Sequence, residues 1–335
     1  MPSSTSSSDA RHWLLTLTAS VALAALVLVG IEWHWRGLGY TPTVLDSAQL
    51  WSVQRERVYG DSPRPLALLG ASRMEYGVDV KALRELLPNY KPVMLAVNGL
   101  YPLSVLRDLA QDPNFHGVVL CDVESNTFVH EYFYGQQSYV DYFRQRWTPS
   151  WHLHRAALTQ WQRTAVIANP DFGLVATLKH TFAGGIPFHN YVEYNANRSG
   201  DIDYGKTDPE ATKKHFAETV EGNIQHLPKH EPEKWLADLQ EVFGWVKAIQ
   251  SRGGEVIFYE SPTSGLTREI NDRLYPRHDY WDRFVAASPA PVLSANAIPE
   301  LANTPLPDDS HIDYRNKAAY TRALVKVLVE RGLLK

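Results

Sequence analysis

From residue 64 onward the chain alternates short apolar runs with amphipathic stretches of helical period. That alternation restricts the fold more than any other feature. Residues 66–69, 92–97, 117–123, 255–259 and the short 291–293 read as strands. Residues 79–87, 102–109, 233–251 and 314–330 read as helices. In the longest of these, Trp235, Leu239, Val242, Val246 and Ile249 recur at helical spacing, and Gly253-Gly254 stops the pattern. A strand returned through a helix pairs parallel to its neighbour, with a right-handed crossover. The expectation is therefore an α/β domain over 64–335. Between its halves lies 127–232, rich in aromatics and poor in strand signals. It is too long for a bare loop and reads as a partly helical insertion, a lid or a partner surface. Its Tyr132, Phe133, Tyr134, Tyr139, Tyr142, Phe143, Trp147, Trp151 and Trp161 either line a sugar-stacking groove or pack the insertion's helices. Packing is the favoured reading, because buried aromatics supply much core area.

The N-terminus carries a second constraint. Residues 13–31 hold no charged side chain. At about 1.5 Å per residue they span roughly 28 Å, close to a hydrocarbon core of about 30 Å. Trp33, Trp35 and Tyr40 follow, amphipathic aromatics favoured at a membrane interface. A cleaved signal peptide has a shorter apolar core, about 7–15 residues, and ends in small residues; here Glu32-Trp33-His34-Trp35 follows the run. The expected organisation is a Ser-rich, disordered cytoplasmic tail over 1–12, a transmembrane signal-anchor over 13–35 and a stalk over 36–63. The charges flanking the span give almost no bias, so the N-inside orientation follows the usual layout of a short tail, one helix and a large domain.

Composition narrows the function. The net charge of −4 and the lack of a long basic run argue against nucleic acid as a partner. The lone Cys121 excludes an intrachain disulfide. His152-x-His154 and the scattered His130, His215, His226 and His230 lack a convincing set of co-ligands, so neither a metal nor another cofactor is expected. Asp171-Phe172-Gly173 has no Gly-rich loop before it and no matching catalytic loop, so it is no kinase signature. Asn197-Arg198-Ser199 matches a glycosylation acceptor and carries no further weight.

Two distant stretches carry the chemistry. Gly70-Ala71-Ser72-Arg73 closes the first strand, and Asp308-Asp309-Ser310-His311 precedes the last helix. Each alone reads as a turn or a solvated loop. In the order Ser, Asp, His they supply a nucleophile, an orienting carboxylate and a base. Asp309 competes with Asp308 for the orienting role, and Asp313 reads as the cap of the final helix. Asn98-Gly99 follows the second strand, where backbone N–H groups of Ser72 and Gly99 can face an oxyanion. Ligands of open parallel sheets bind beyond the C-terminal strand ends, so these segments converge on one edge.

On Gly70-Ala71-Ser72, Gly99 and Asp308-x-x-His311, the chain resembles the SGNH (GDSL-like) hydrolase superfamily, in layout over about 64–332. It looks closest to membrane-anchored, periplasm-facing members associated with O-acetylation of polysaccharides. The resemblance implies a flavodoxin-like three-layer α/β/α sandwich. It also implies Ser72 as nucleophile, His311 as base, Asp308 as orienter and Gly99 as an oxyanion donor, with Asn98, Asn126 and Arg73 around the substrate. The sequence departs from the family's pattern in two places. Its third block, usually Gly-x-Asn-Asp, is replaced by Cys121-Asp122-Val123-Glu124-Ser125-Asn126, and Gly-Ala-Ser-Arg stands where Gly-Asp-Ser is commonest. The implied function is a serine esterase or O-acetyltransferase acting on a cell-surface or exported polysaccharide through an acyl-serine. It would sit in a bacterial inner membrane beside a multispanning acyltransferase. The alternatives are a noncatalytic glycan-binding accessory of the same fold and a plain periplasmic esterase or lipase.

Overall fold

The computed structural model describes residues 7–184, 191–225 and 231–335. The chain divides into two compact units, Met1–Leu45 with Ala156–His189, and Asp46–Arg155 with Asn190–Lys335.

Along the chain, α1 (Ser7–Gly37) is followed by α2 (Ala48–Arg55), β1 (Arg64–Leu69), α3 (Ser72–Gly77), α4 (Val80–Leu86), β2 (Tyr90–Met94), α5 (Leu103–Gln111) and β3 (Val118–Asp122). Then come α6 (Gln137–Arg146), α7 (Pro149–Gln162), α8 (Leu174–Ala183), β4 (Val192–Tyr194), β5 (Gly200–Ile202), α9 (Pro209–Gln225) and α10 (Pro232–Gln250). The chain closes through β6 (Glu255–Glu260), α11 (Gly265–Leu274), α12 (Trp281–Ala287), β7 (Val292–Ser294), α13 (Pro299–Ala302) and α14 (Tyr314–Glu330).

The larger unit is built on a five-stranded sheet in the order β2-β1-β3-β6-β7, parallel throughout. Strand residues alternate between two cores, as the period of two requires. Ala67, Leu69, Val119, Cys121 and Phe258 pack with Leu106 and Leu109 of α5 and Trp235 and Leu239 of α10. Leu66, Leu68, Leu120, Ile257 and Tyr259 pack with Leu83 of α4 and Leu324 and Leu328 of α14. Helices thus cover both faces, and the middle of each long strand is a continuous apolar run, with polar residues only near the ends, as a doubly covered parallel sheet requires. The order reverses between β1 and β3, since β2 lies on one side of β1 and the later strands on the other. The C-terminal ends of β1 and β3 frame the crevice where ligands of such sheets bind.

Two expected boundaries change. Residues 46–63 are not a stalk but part of the α/β unit. Trp51 on α2 is fully buried in its core and donates its indole N–H to Leu95 O, while Arg55 is buried against Asp108 and Asp112 at 2.8 and 2.7 Å. Gly, Pro and mixed polar residues give 36–63 the composition of a stalk, but the polar groups of α2 are paired inside. The expected insertion 127–232 divides. Its middle, Ala156–His189, belongs with α1, and its flanks belong with the sheet. One flank carries a small antiparallel hairpin, β4 with β5, which the sequence reading did not anticipate. Asn197-Arg198-Ser199 forms its turn: Arg198 holds φ +69°, and the Asn197 side chain accepts from Ser199 N at 2.9 Å.

The smaller unit is organised on α1, which begins at Ser7, ahead of the expected span; residues 1–6 of the expected disordered tail lie outside the described residues. This helix is long and apolar enough to cross a membrane. Its side chains are bare from Ala10 through Val29, while Ile31 and Trp35 are buried with Tyr40, Val166 and Phe172.

Candidate active site

Ser72 is the first residue of α3, directly beyond β1. The turn that places it needs a glycine at 70: a Cβ there would lie 2.7 Å from Met74 Cβ and 2.9 Å from Asp122 Cβ. Gly70 therefore lets the end of β1 and the end of β3 approach each other. The His311 ring lies 2.8 Å from Ser72 Oγ through Nε2 and 2.8 Å from Asp308 Oδ2 through Nδ1. An ionised carboxylate only accepts, so Nδ1 carries the proton and donates to Asp308; Nε2 is left to accept the Ser72 hydroxyl proton. That is the tautomer a general base needs.

The Asp-x-x-His spacing folds into a tight turn. Asp308 Oδ1 accepts the backbone N–H of Ser310 at 3.0 Å and of His311 at 2.7 Å, while Oδ2 holds the ring. Burial alone would raise the Asp308 carboxyl. Electrostatic attraction to the His311 ring and its Nδ1–H hydrogen bond, with the Tyr204 hydroxyl and the His311 backbone N–H, outweigh it and bring the carboxyl down to about 2. The competition between adjacent aspartates is resolved by backbone geometry. Asp309 takes φ +66°, which turns its side chain away from the imidazole. There it accepts from Ser264 Oγ and Leu266 N at the start of α11 and pairs with Lys213 of α9. Asp313 caps α14, as expected, accepting from Arg315 N at 2.9 Å.

A cavity of about 820 Å³ opens above these groups. Its floor follows the strand ends: Ser72 and Arg73 after β1, Asn98 and Gly99 after β2, Asp122, Glu124 and Asn126 at and after β3. Gly99 holds φ +72°, so its place in the turn favours glycine. Asn126 is buried and its amide oxygen has no partner among the described residues. The walls are aromatic, with Tyr76, Tyr101, Tyr132, Tyr191, Tyr204 and Phe216 facing the space. The Phe216 ring stands edge-on to His311, with centroids 5.1 Å apart. α9 and the hairpin thus supply part of the cavity wall.

Arg73, on the cavity floor, also makes fixed contacts within the protein. Its Nε donates to Ser310 Oγ at 3.0 Å and one terminal nitrogen to Glu124 at 2.7 Å. The guanidinium braces the nucleophile turn against both the histidine loop and the segment after β3. Near both lies Asp122, whose buried carboxyl is pushed up to about 7. Burial raises it more than Arg73 and the Ser261 N–H lower it.

Several residues around the site carried no readable sequence signal. Glu75 of α3 accepts Asn98 N at 3.0 Å and Arg198 at 3.1 Å. Arg198, fully buried, also pairs with Asp46 through two 2.6 Å bonds and donates to Ala96 O. Gln136, equally buried, donates its amide to Gly70 O at 2.9 Å and Leu100 O at 2.8 Å, tying the first turn to the second. Their partners, side chains and backbone groups alike, lie 23 to 152 residues away in sequence but adjacent in the fold, and no spacing rule reports such contacts. Of the aromatics singled out from the sequence, Phe133, Tyr139 and Phe143 join the core, Tyr132 lines the cavity, and Tyr134, Trp151 and Trp161 are exposed.

The arrangement has the parts for nucleophilic acyl transfer: a hydroxyl on a base, the base on a buried carboxylate, and N–H groups on a shared cavity wall. No protein-family model matches the chain, and no curated protein matches it.

Proposed function

We propose that this chain is an SGNH-type serine hydrolase or acyltransferase, with Ser72 as nucleophile, His311 as general base and Asp308 as orienter. The observation that carries the reading is the unbroken 2.8 Å–2.8 Å relay from Ser72 to His311 to Asp308 beside a large cavity. The strand order 2-1-3 at the head of the parallel sheet agrees with a flavodoxin-like three-layer domain. In the reaction His311 Nε2 takes the Ser72 proton as Oγ attacks an ester carbonyl. The backbone N–H groups of Ser72 and Gly99 and the Asn126 amide stabilise the oxyanion. The leaving alkoxide recovers the proton from His311 and an acyl-serine remains. Water or a second hydroxyl, activated by the same imidazole, then takes the acyl group. The tyrosine walls suit a sugar, whose rings stack on aromatic faces, so the acceptor or leaving group we assign is a carbohydrate hydroxyl. With α1 as an uncleaved anchor in an inner membrane and the domain on the periplasmic side, that carbohydrate is an exported polysaccharide.

The test uses full-length protein in detergent micelles with an acetyl ester of p-nitrophenol. Turnover that disappears in Ser72→Ala, together with labelling of Ser72 by a fluorophosphonate, is the expected result. Equal turnover in Ser72→Ala overturns the assignment. Absence of both turnover and labelling, with glycan binding retained, selects the accessory reading instead. Transfer of acetyl to an added oligosaccharide separates a transferase from a plain esterase.

A further inference from the structure

We infer that α8 is an interfacial helix that lies on the lipid surface beside α1, with its outer stripe set into the headgroup–acyl boundary. The inference rests on α1 spanning a membrane. Its evidence is the inverted polarity of α8. The side chains of Leu174, Val175, Leu178 and Phe182 point outward; Val175 is 66% and Phe182 85% exposed. At 100° per residue these four fall within one arc of about 100°. The opposite face carries Ala176, Thr177 and His180 and is the one turned inward. Thr177 Oγ1 accepts the Trp35 indole N–H at 2.9 Å, and the His180 ring stands edge-on to Trp35 with centroids 5.8 Å apart. A helix in water hides its apolar stripe, and this one presents it.

What covers the stripe follows from where α8 is held. α1 is bare of protein from Trp13 through Val29, and cover begins at Ile31. α8 packs one turn further on, at Trp35, and the segment before it is tied to the same two turns. Glu32 accepts Val166 N and Ile167 N, both at 3.0 Å, and Arg36 donates to Thr164 O at 2.8 Å. The outer stripe is therefore continuous with the end of the bare stretch. If acyl chains surround residues 13–29, roughly 26 Å at about 1.5 Å per residue, the level of Trp35 is the headgroup zone. Lys179 and Thr181 border the stripe on its two sides, and Trp33 and Trp161 are exposed in the same unit. A lysine edge and indole rings are what an interfacial surface uses, the lysine reaching up to phosphate and the rings lying at headgroup depth.

The experiment places a single fluorescent label, through Val175→Cys, Phe182→Cys or Leu23→Cys, on full-length protein in phosphatidylcholine–phosphatidylglycerol vesicles. The native Cys121 is fully buried and stays unlabelled in the folded protein. Nitroxide lipids then quench either at headgroup depth or at mid-chain. Labels at 175 and 182 are expected to lose most of their emission to the shallow nitroxide and little to the deep one, and the label at 23 the reverse. Labels at 175 and 182 that respond to neither nitroxide while 23 responds overturn the inference and leave the anchor standing. A blue-shifted but unquenched label at 175 means protein cover, such as a second copy of this chain, and overturns it equally. A label at 23 that ignores the deep nitroxide overturns the anchor, and the inference with it.

Discussion

The Glu75 carboxylate, one turn along the helix that begins at Ser72, accepts the backbone N–H of Asn98 at 3.0 Å. The helix that begins at Ser72 thus holds the turn that bears Gly99. Arg198 completes the link, joining Glu75 to Asp46 and to Ala96 O. Burial pushes Glu75 up to about 8 despite Arg198, and the nearby Asp46 adds to the rise. A carboxyl raised above its unfolded value stabilises the fold fully below the unfolded pKa of about 4.3, and that contribution is lost as pH climbs through the folded value. Asp122, raised to about 7, acts in the same direction. Stability is therefore expected to fall between about pH 4 and pH 8, and Glu75→Gln to flatten that fall. Urea midpoints at pH 5 and pH 8 check it; an equal slope in the variant speaks against the shift.

Asp308 has the opposite sign. Its carboxyl is held down to about 2, so its contribution is present above about pH 4 and lost as pH falls through the folded value. Asp308→Asn keeps the shape of the turn but offers an amide to Nδ1, which favours the wrong tautomer. Ester turnover is expected to fall by about 10⁴-fold, with little change in KM. Asp309→Asn, one residue on, is expected to keep most turnover. It loses instead about 0.5–2 kcal/mol through the weakened start of α11, readable in a thermal melt.

Gly99→Ala tests the oxyanion turn. The new methyl meets open space, but φ +72° becomes costly by roughly 1–2 kcal/mol for an L-residue. Relief of that strain moves the N–H. The expected outcome is a lower kcat at nearly constant KM, because an oxyanion donor acts on the transition state. A change confined to KM would show that Gly99 only shapes the pocket.

Gln136→Leu removes a buried amide that bridges Gly70 O and Leu100 O. The expected loss is about 1–3 kcal/mol of stability, since a buried acceptor is left with one partner fewer. Turnover should fall as well, because the two turns are then free to separate. A denaturant series alongside ester assays distinguishes the two effects. A stable variant with full turnover would show that the bridge is dispensable.

The parts of this molecule that were legible in the sequence are those governed by local periodicity. The five sheet strands were readable as apolar runs, and α14 begins at Tyr314 and ends at Glu330 where the pattern places it. The Ser72, Asp308 and His311 set was readable because each residue type stands next to a strand end or a helix start. Paired charges hid the rest. Arg55 lies in the stretch whose mixed polar residues read as a stalk, yet it is wholly buried, since its carboxylate partners Asp108 and Asp112 lie on and just beyond α5. Arg198 sat inside an apparent glycosylation triplet, and only the fold brings Asp46 and Glu75 to it. The protein partners of Arg73, Glu124 and Ser310, are likewise distant in sequence. The hairpin of β4 and β5 escaped because three-residue strands carry too little alternation to register.

The chain departs from its α/β unit at Arg155 and returns at Asn190, and the residues between belong with α1. The unit built on α1 and the α/β domain therefore cannot be separated by a single cut. A fragment beginning at Asp46 would keep Val166 and Phe172 but lose Ile31, Trp35 and Tyr40, with which they share a core. Such a fragment would carry a raw apolar scar in the middle of its own sequence, prone to self-association although the sheet and the serine relay are whole. An aqueous form of this protein needs two excisions, 1–45 and 156–189, with a short graft across the second gap.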